Sequence, residues 1–156
     1  MKLDQLISES SVISDAEVSS TKKALEQLAE LLAAQTTDKD AVEIFQHLTE
    51  REKLGSTGLG HGVALPHART AKCDHAIGAF IKLDQGIDFD SPDNEPTDLL
   101  FALMVPEEHT SEHLEILASL ASRFSDKNLC HSLRSASTSK ELFNRLTSWE
   151  IASQAS

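Results

Sequence analysis

The residues with the clearest chemical reach are a histidine and the glycines that lead to it. The run Arg51-Glu52-Lys53-Leu54-Gly55-Ser56-Thr57-Gly58-Leu59-Gly60-His61-Gly62-Val63-Ala64-Leu65-Pro66-His67 places four of the chain's six glycines within eight positions. Glycines this dense let backbone N–H groups approach a ligand closely, and exposed N–H groups host anions. A neutral imidazole is a good nucleophile near pH 7. Phosphoryl transfer asks a protein mainly for positioning and charge stabilisation, which loop N–H groups and a cation such as Arg51 can supply to His67. His113, expected in the first turn of a helix, could hold a phosphoryl group or polarise His67, because the positive end of a helix dipole favours an anion. Plainer readings stand beside these. A strand-end histidine is commonly only packed or hydrogen-bonded, Arg51 could simply end a helix where a cation suits the last carbonyls, and His113 could be a surface residue.

Other chemistries fit the residues less well. Gly55 to Gly60 has the glycine spacing of a phosphate-binding P-loop, but His61-Gly62 stands where Lys and Ser/Thr are required. A dinucleotide fingerprint fails at Val63, and the loop leads to a strand rather than a helix. His109-Thr110-Ser111-Glu112-His113 matches the H-x-x-E-H pattern of inverted zinc peptidases, yet Pro106 and a cap at Ser111 put His109 before the helix begins. His61, His67, Cys73 and His75 lack a recurring zinc spacing. No metal or cofactor is expected. His47, His75, His109 and His131 read as surface residues, and Glu107, Glu108, Glu112 and Glu115 as a solvated acidic patch.

Several elements must position these groups. Short extended segments and turns over Leu3 to Ile13, then a Ser-rich acidic piece, lead to a helix over Thr21 to Leu32 with Leu25, Leu28, Leu31 and Leu32 at helical spacing and Ser19 or Ser20 as N-cap. A second helix starts at the cap Asp38, presents Val42, Phe45 and Leu48, and stops near Leu54 at the glycines. Val63 to Leu65 is extended because Pro66 bars the helical region before it, which leaves His67 at a strand's end. Ala76–Leu83 and Leu99–Val105 read as buried strands, joined by a loop with a short strand at Gly86 to Phe89. Three helices follow. Ser111 caps one with a stripe of Leu114, Leu117, Ala118, Ala121 and Phe124; Asp126 caps one with Leu129, Cys130 and Leu133. Thr138 and Glu141, at capping-box spacing, open a last helix with Leu142, Phe143, Leu146 and Trp149, before a frayed tail from Ala152. The order implies an α/β layered domain whose mixed central sheet is covered by helices on both faces.

Length and composition narrow the class further. The 156 residues favour one domain over 1–156 with its core in about 4–150. No apolar run approaches the roughly 18 residues of a membrane span, and the N-terminus does not read as a signal peptide, so a cytoplasmic location is expected. Cys73 and Cys130 match no disulfide or metal spacing. The formal net charge of -11 argues against nucleic acid; it suits a partner protein with a basic face and equally an acidic surface that only keeps the protein in solution.

With its interposed positions left open, Arg51-Glu52-Lys53-x-Gly55-Ser56-Thr57-Gly58-x-Gly60-x-Gly62-Val63-Ala64-Leu65-Pro66-His67 resembles the active-site signature of the type 2 IIA domains of the bacterial phosphotransferase system. The likeness extends through Asp98-Leu99-Leu100-Phe101-Ala102-Leu103-x-Val105-Pro106 and His113-Leu114, and is greatest toward the nitrogen-regulatory branch. The resemblance implies a mixed β-sheet flanked by helices, as in the mannitol- and fructose-type IIA fold. It implies that His67 accepts a phosphoryl group on its tele nitrogen from an HPr-like nitrogen-branch phosphocarrier, that His113 is the second active-site histidine, that Arg51 lines the site, and that Ser56, Thr57 and Gly58 form the phosphate loop. It further implies a phosphotransferase component acting mainly as a regulator, whose phosphorylation state is read by targets such as nitrogen-control and potassium-transport proteins. A free-standing fructose- or mannitol-type IIA component that hands phosphate to a IIB partner is the alternative; the lack of a fused IIB-like domain in these residues counts against it.

Overall fold

A computed structural model describes residues 3–71, 73–108 and 110–148. Two short 3-10 turns, Leu3–Gln5 and Glu9–Ser11, lead into strand β1 (Val12–Ala16) and helix α1 (Thr21–Ala33). The Ser20 side chain caps α1 by accepting from the Lys23 N–H, and the face carrying Leu25, Leu28 and Leu32 is buried. Helix α2 (Ala41–Leu54) is capped by Asp40, which accepts from the Glu43 N–H, rather than by Asp38. Its buried positions are Ile44 and Leu48, while Val42 is 68% exposed.

Beyond the glycine loop come β2 (Gly58–Gly60), β3 (Val63–Ala64), β4 (His67–Thr70), β5 (Ile77–Ile87) and β6 (Thr97–Pro106). His67 therefore opens a second short strand after Pro66 instead of closing the first. The separate strand expected near Gly86 is the far end of a continuous β5, which pairs antiparallel with β6 as far as Ile87↔Thr97. The sheet runs β1-β5-β6-β3-β2, with β4 also pairing to β6. Strand β6 thus carries two partners in succession along one edge: β3 beside Leu99 and Leu100, then β4 beside Leu103 to Pro106, both parallel.

Alternation along β6 divides the core. Leu100, Ala102 and Met104 pack with α1 and α2. Leu99, Phe101, Leu103 and Val105 pack with Leu3, Leu6, Ile7 and the helices that end the chain. These are α3 (Thr110–Phe124), α4 (Lys127–Ser135) and α5 (Ser139–Ser148). Ser111 lies inside α3, not at its cap. The inner face of α3 carries buried Leu120 and Phe124 with Ile116 and Leu117 packed beside them, whereas Leu114 is 67% exposed. Asp126 caps α4 as its spacing predicts, accepting from Asn128 and Leu129. Thr138 accepts from the Glu141 N–H, but the Glu141 carboxylate answers Ser137 rather than Thr138, so only half of the reciprocal box forms. Trp149 and the tail from Ala152 lie outside the described residues. Among those residues, no helix is long and apolar enough to cross a membrane.

Candidate functional site

The glycine run has a geometry that its spacing alone does not convey. Helix α2 ends with Arg51, whose Nη1 donates to the Gly55 carbonyl at 2.8 Å, and with Glu52, whose carboxylate accepts both the N–H and the hydroxyl of Thr57 at 2.8 and 2.6 Å. Ser56 donates its hydroxyl to the Phe89 carbonyl and accepts the Gly58 N–H. The His61 N–H goes to Asp93. His61 and Gly62 both take positive φ, 57° and 81°, and Arg134 of α4 holds this turn by donating to the His61 carbonyl while pairing with Asp98. The loop's N–H groups at Thr57, Gly58 and His61 are therefore engaged by the protein itself. Ser56, Thr57 and Gly58 also do not line the cleft that holds His67. The loop's hydrogen bonds turn inward, and it aims the chain that follows it.

That chain is β4. In a parallel ladder paired residues share a face, so His67 and Arg69, opposite Leu103 and Val105, project toward the side covered by α3. Ala68 and Thr70, at the alternate positions, are buried. His113, in the first turns of α3, meets His67 with ring centroids 5.5 Å apart and planes at 70°. Both rings line an open cleft of about 880 Å³ with Arg51 and Leu54 from α2, Arg69, and Glu107 and Leu114 from the α3 side. His47 is a further wall residue. It is half-buried, 4.0 Å from Glu43, and not the free surface residue that its spacing predicts. Glu107 likewise belongs to the cleft wall.

The His67 ring has a defined orientation. Its Nδ1 lies 2.8 Å from the Leu65 carbonyl; a carbonyl only accepts, so Nδ1 carries the proton and Nε2 the lone pair. Burial pushes the His67 pKa below the ordinary 6.5, the Leu65 bond opposes this, and the Arg51 charge adds to the lowering. Burial also lowers His113, helped by His67 and then Arg69. The His113 Nδ1 is buried without a hydrogen-bond partner among the described residues. Two neutral imidazoles thus meet in a cleft that Arg51 and Arg69 also line, an arrangement suited to taking up a phosphoryl dianion.

Arg69 is the site residue that sequence reading missed. His67-x-Arg69 at a strand's period of two puts both side chains on one face, a signal that is legible only once residues 67–70 are known to form a strand. The H-x-x-E-H reading cannot be placed, since His109 and the Glu112 side chain lie outside the described residues. Among the described residues, no group of three His, Cys, Asp or Glu side chains is arranged to hold a metal ion.

Comparison with known proteins gives consistent matches. Residues 5–149 match the family model described as phosphoenolpyruvate-dependent sugar phosphotransferase system, EIIA 2. A nitrogen regulatory protein of Pseudomonas aeruginosa is 42% identical over 143 residues, 92% of this chain and 93% of that protein. A fructose-specific EIIA component of Haloferax volcanii is 39% identical over 113 residues, 70% of this chain and 72% of its own. The crystal structure of nitrogen regulatory protein IIA-Ntr from Neisseria meningitidis superposes with a TM-score of 0.87 at 42% identity, covering 93% of this chain and 99% of that one.

Proposed function

The chain belongs to the EIIA 2 family of the phosphoenolpyruvate-dependent sugar phosphotransferase system, and from that premise we propose that it is a cytoplasmic phosphorelay protein of the nitrogen-regulatory type. It accepts a phosphoryl group on His67 from an HPr-like nitrogen-branch phosphocarrier and regulates nitrogen-control or potassium-transport targets through its phosphorylation state. The observation that carries this reading is the His67 ring itself, with Nδ1 held by the Leu65 carbonyl beside His113 in an open cleft. The names of the relatives support the nitrogen-regulatory role.

In the proposed step the Nε2 lone pair of His67 attacks the phosphorus of the carrier's phosphohistidine. A new N–P bond forms in line as the old one breaks, and the carrier's imidazole leaves with the electron pair. His67 keeps its Nδ1 proton on the Leu65 carbonyl, which stabilises the positive charge that the phosphorylated ring acquires. Arg51 offsets the phosphoryl charge, and neutral His113 hydrogen-bonds the incoming group.

His67→Ala should fold normally by circular dichroism and take up no label from phosphorylated carrier; labelling of the variant at the wild-type level would refute the assignment. A second reading has a specific observation behind it, the 39% identity to a fructose-specific EIIA component: a sugar-transport IIA unit delivering phosphate to a IIB partner. Parallel incubation with phosphorylated nitrogen-branch and sugar-branch carriers separates the two. Preferred phosphorylation by the nitrogen-branch carrier, with no onward transfer to a sugar-specific IIB, supports the first reading, and the reverse supports the second.

A further inference from the structure

Resting on the phosphoryl-acceptor reading of His67, we propose that Arg69 is a catalytic residue of the transfer, contacting the phosphoryl group directly from the strand that carries the nucleophile. Three observations lead to it. His67 and Arg69 leave β4 on the same face, opposite Leu103 and Val105, and both line the cleft. Arg69 lies close enough to His113 to depress its basicity, so its charge is felt where the second histidine stands.

Its partners, or the lack of them, set it apart from the other arginines. Arg51 donates to Gly55, Arg134 pairs with Asp98, and Arg145 binds the Ser132 carbonyl. Arg123 is buried and engaged elsewhere. The Arg69 side chain is exposed and has no hydrogen-bond or ion-pair partner among the described residues. A guanidinium presents its donors in a planar fork that matches a tetrahedral oxyanion two oxygens at a time. Arg51 spends one of its donors on the helix end. Arg69 keeps all of its own for an incoming group.

In the transfer the three peripheral phosphoryl oxygens carry the charge, while the N–P bonds form and break along the in-line axis. Arg69 takes part in neither bond and transfers no proton. It holds two of the peripheral oxygens from the β4 side as Arg51 faces the phosphoryl from α2. A cation on an edge strand can also serve only to discourage edge-to-edge pairing or to meet the carrier's surface, and the test separates those roles.

Wild type, Arg69→Gln and Arg69→Lys are labelled at His67 by two donors, the phosphorylated nitrogen-branch carrier and phosphoramidate, a small N–P donor with no protein surface. Loss of a charged contact to the transferring group should slow Arg69→Gln about 10- to 100-fold with both donors. Arg69→Lys should recover part of the rate, because it restores the charge without the fork. The thermal midpoints should be unchanged. An Arg69→Gln variant that matches wild type with phosphoramidate overturns the proposal, and a defect confined to the carrier makes Arg69 a docking residue instead. Failure of wild type to label at His67 with either donor would refute the acceptor reading itself, an outcome distinct from either of these.

Discussion

At the scale of single residues, the Leu65 carbonyl is as consequential as the histidine it holds. One hydrogen bond of 2.8 Å selects the tautomer, and the tautomer decides which nitrogen can attack. Burial then keeps that nitrogen unprotonated, with the pKa of His67 below 6.5. The sign follows directly. The neutral ring is the nucleophile, a lowered pKa extends its range toward acid, and acceptance should decline only as pH falls through that lowered value. Initial labelling rates with phosphoramidate, normalised to free histidine labelled by the same donor, should therefore show an acid limb displaced below the 6.5 of an ordinary imidazole. A limb centred at or above it would contradict the neutral, buried state. His67 could be singled out in the sequence by its company of glycines and Pro66. Arg69 could not, because a strand's period of two helps only once β4 is known to be a strand, and four residues after a proline are too short to announce one.

At the scale of elements, the glycine loop works as a hinge pinned from three sides. Glu52 ties it to α2, Ser56 to Phe89, and Arg134 to α4. Gly62 is the tightest point. At φ 81° a Cβ would stand 2.3 Å from Arg134 Nη2 and 2.7 Å from Asp98 Oδ1, so both the backbone and the ion pair would have to yield. Gly62→Ala should destabilise the fold by about 1–3 kcal/mol, measured by urea unfolding. It should also weaken phosphoryl uptake, since the turn leads straight into Val63 to His67. An unfolding midpoint equal to wild type would show that the loop tolerates the shift. Local sequence rules succeed in these elements where the signal is local. Ser20 and Asp126 cap their helices because an N-cap needs only a side chain two or three residues from an unpaired N–H. They fail where neighbours compete: Asp40 takes the cap from Asp38, and the start of α3 at Thr110 draws Ser111 into the helix.

At the scale of the whole molecule, β6 is the shared wall. Its even and odd residues feed separate cores, and the two strands along its edge place the loop and the nucleophile in sequence. Phe101 sits in the middle of this wall, fully buried, its ring 6.4 Å from Phe80 and 6.0 Å from Phe124 of α3. Phe101→Ala should cost about 3–5 kcal/mol by chemical denaturation, a larger effect than that of Gly62→Ala. It should also loosen α3 against the sheet and so the seat of His113. A loss below about 1 kcal/mol would mean that the cavity collapses without consequence, contrary to the usual behaviour of a close-packed core.

The sequence by itself determined the layered class of the fold, the strand core of Leu99 to Val105, the helix faces carrying Leu25, Leu28 and Leu129, and the singling out of His67. Each of these rests on periodicity or on residue types within a short window, which is where covalent geometry acts. Tertiary structure alone decided which groups meet. It brought His113, from a helix far along the chain, to a ring distance of 5.5 Å from His67. It gave Arg69 a place on the cleft wall, and it engaged the loop N–H groups with Glu52, Ser56 and Asp93, which left Ser56, Thr57 and Gly58 outside the cleft. The physical reason is that hydrogen bonds and charges act over a few ångströms of space. The spacing of residues along a chain does not set that distance until the sheet register and the packing of α3 bring distant positions together.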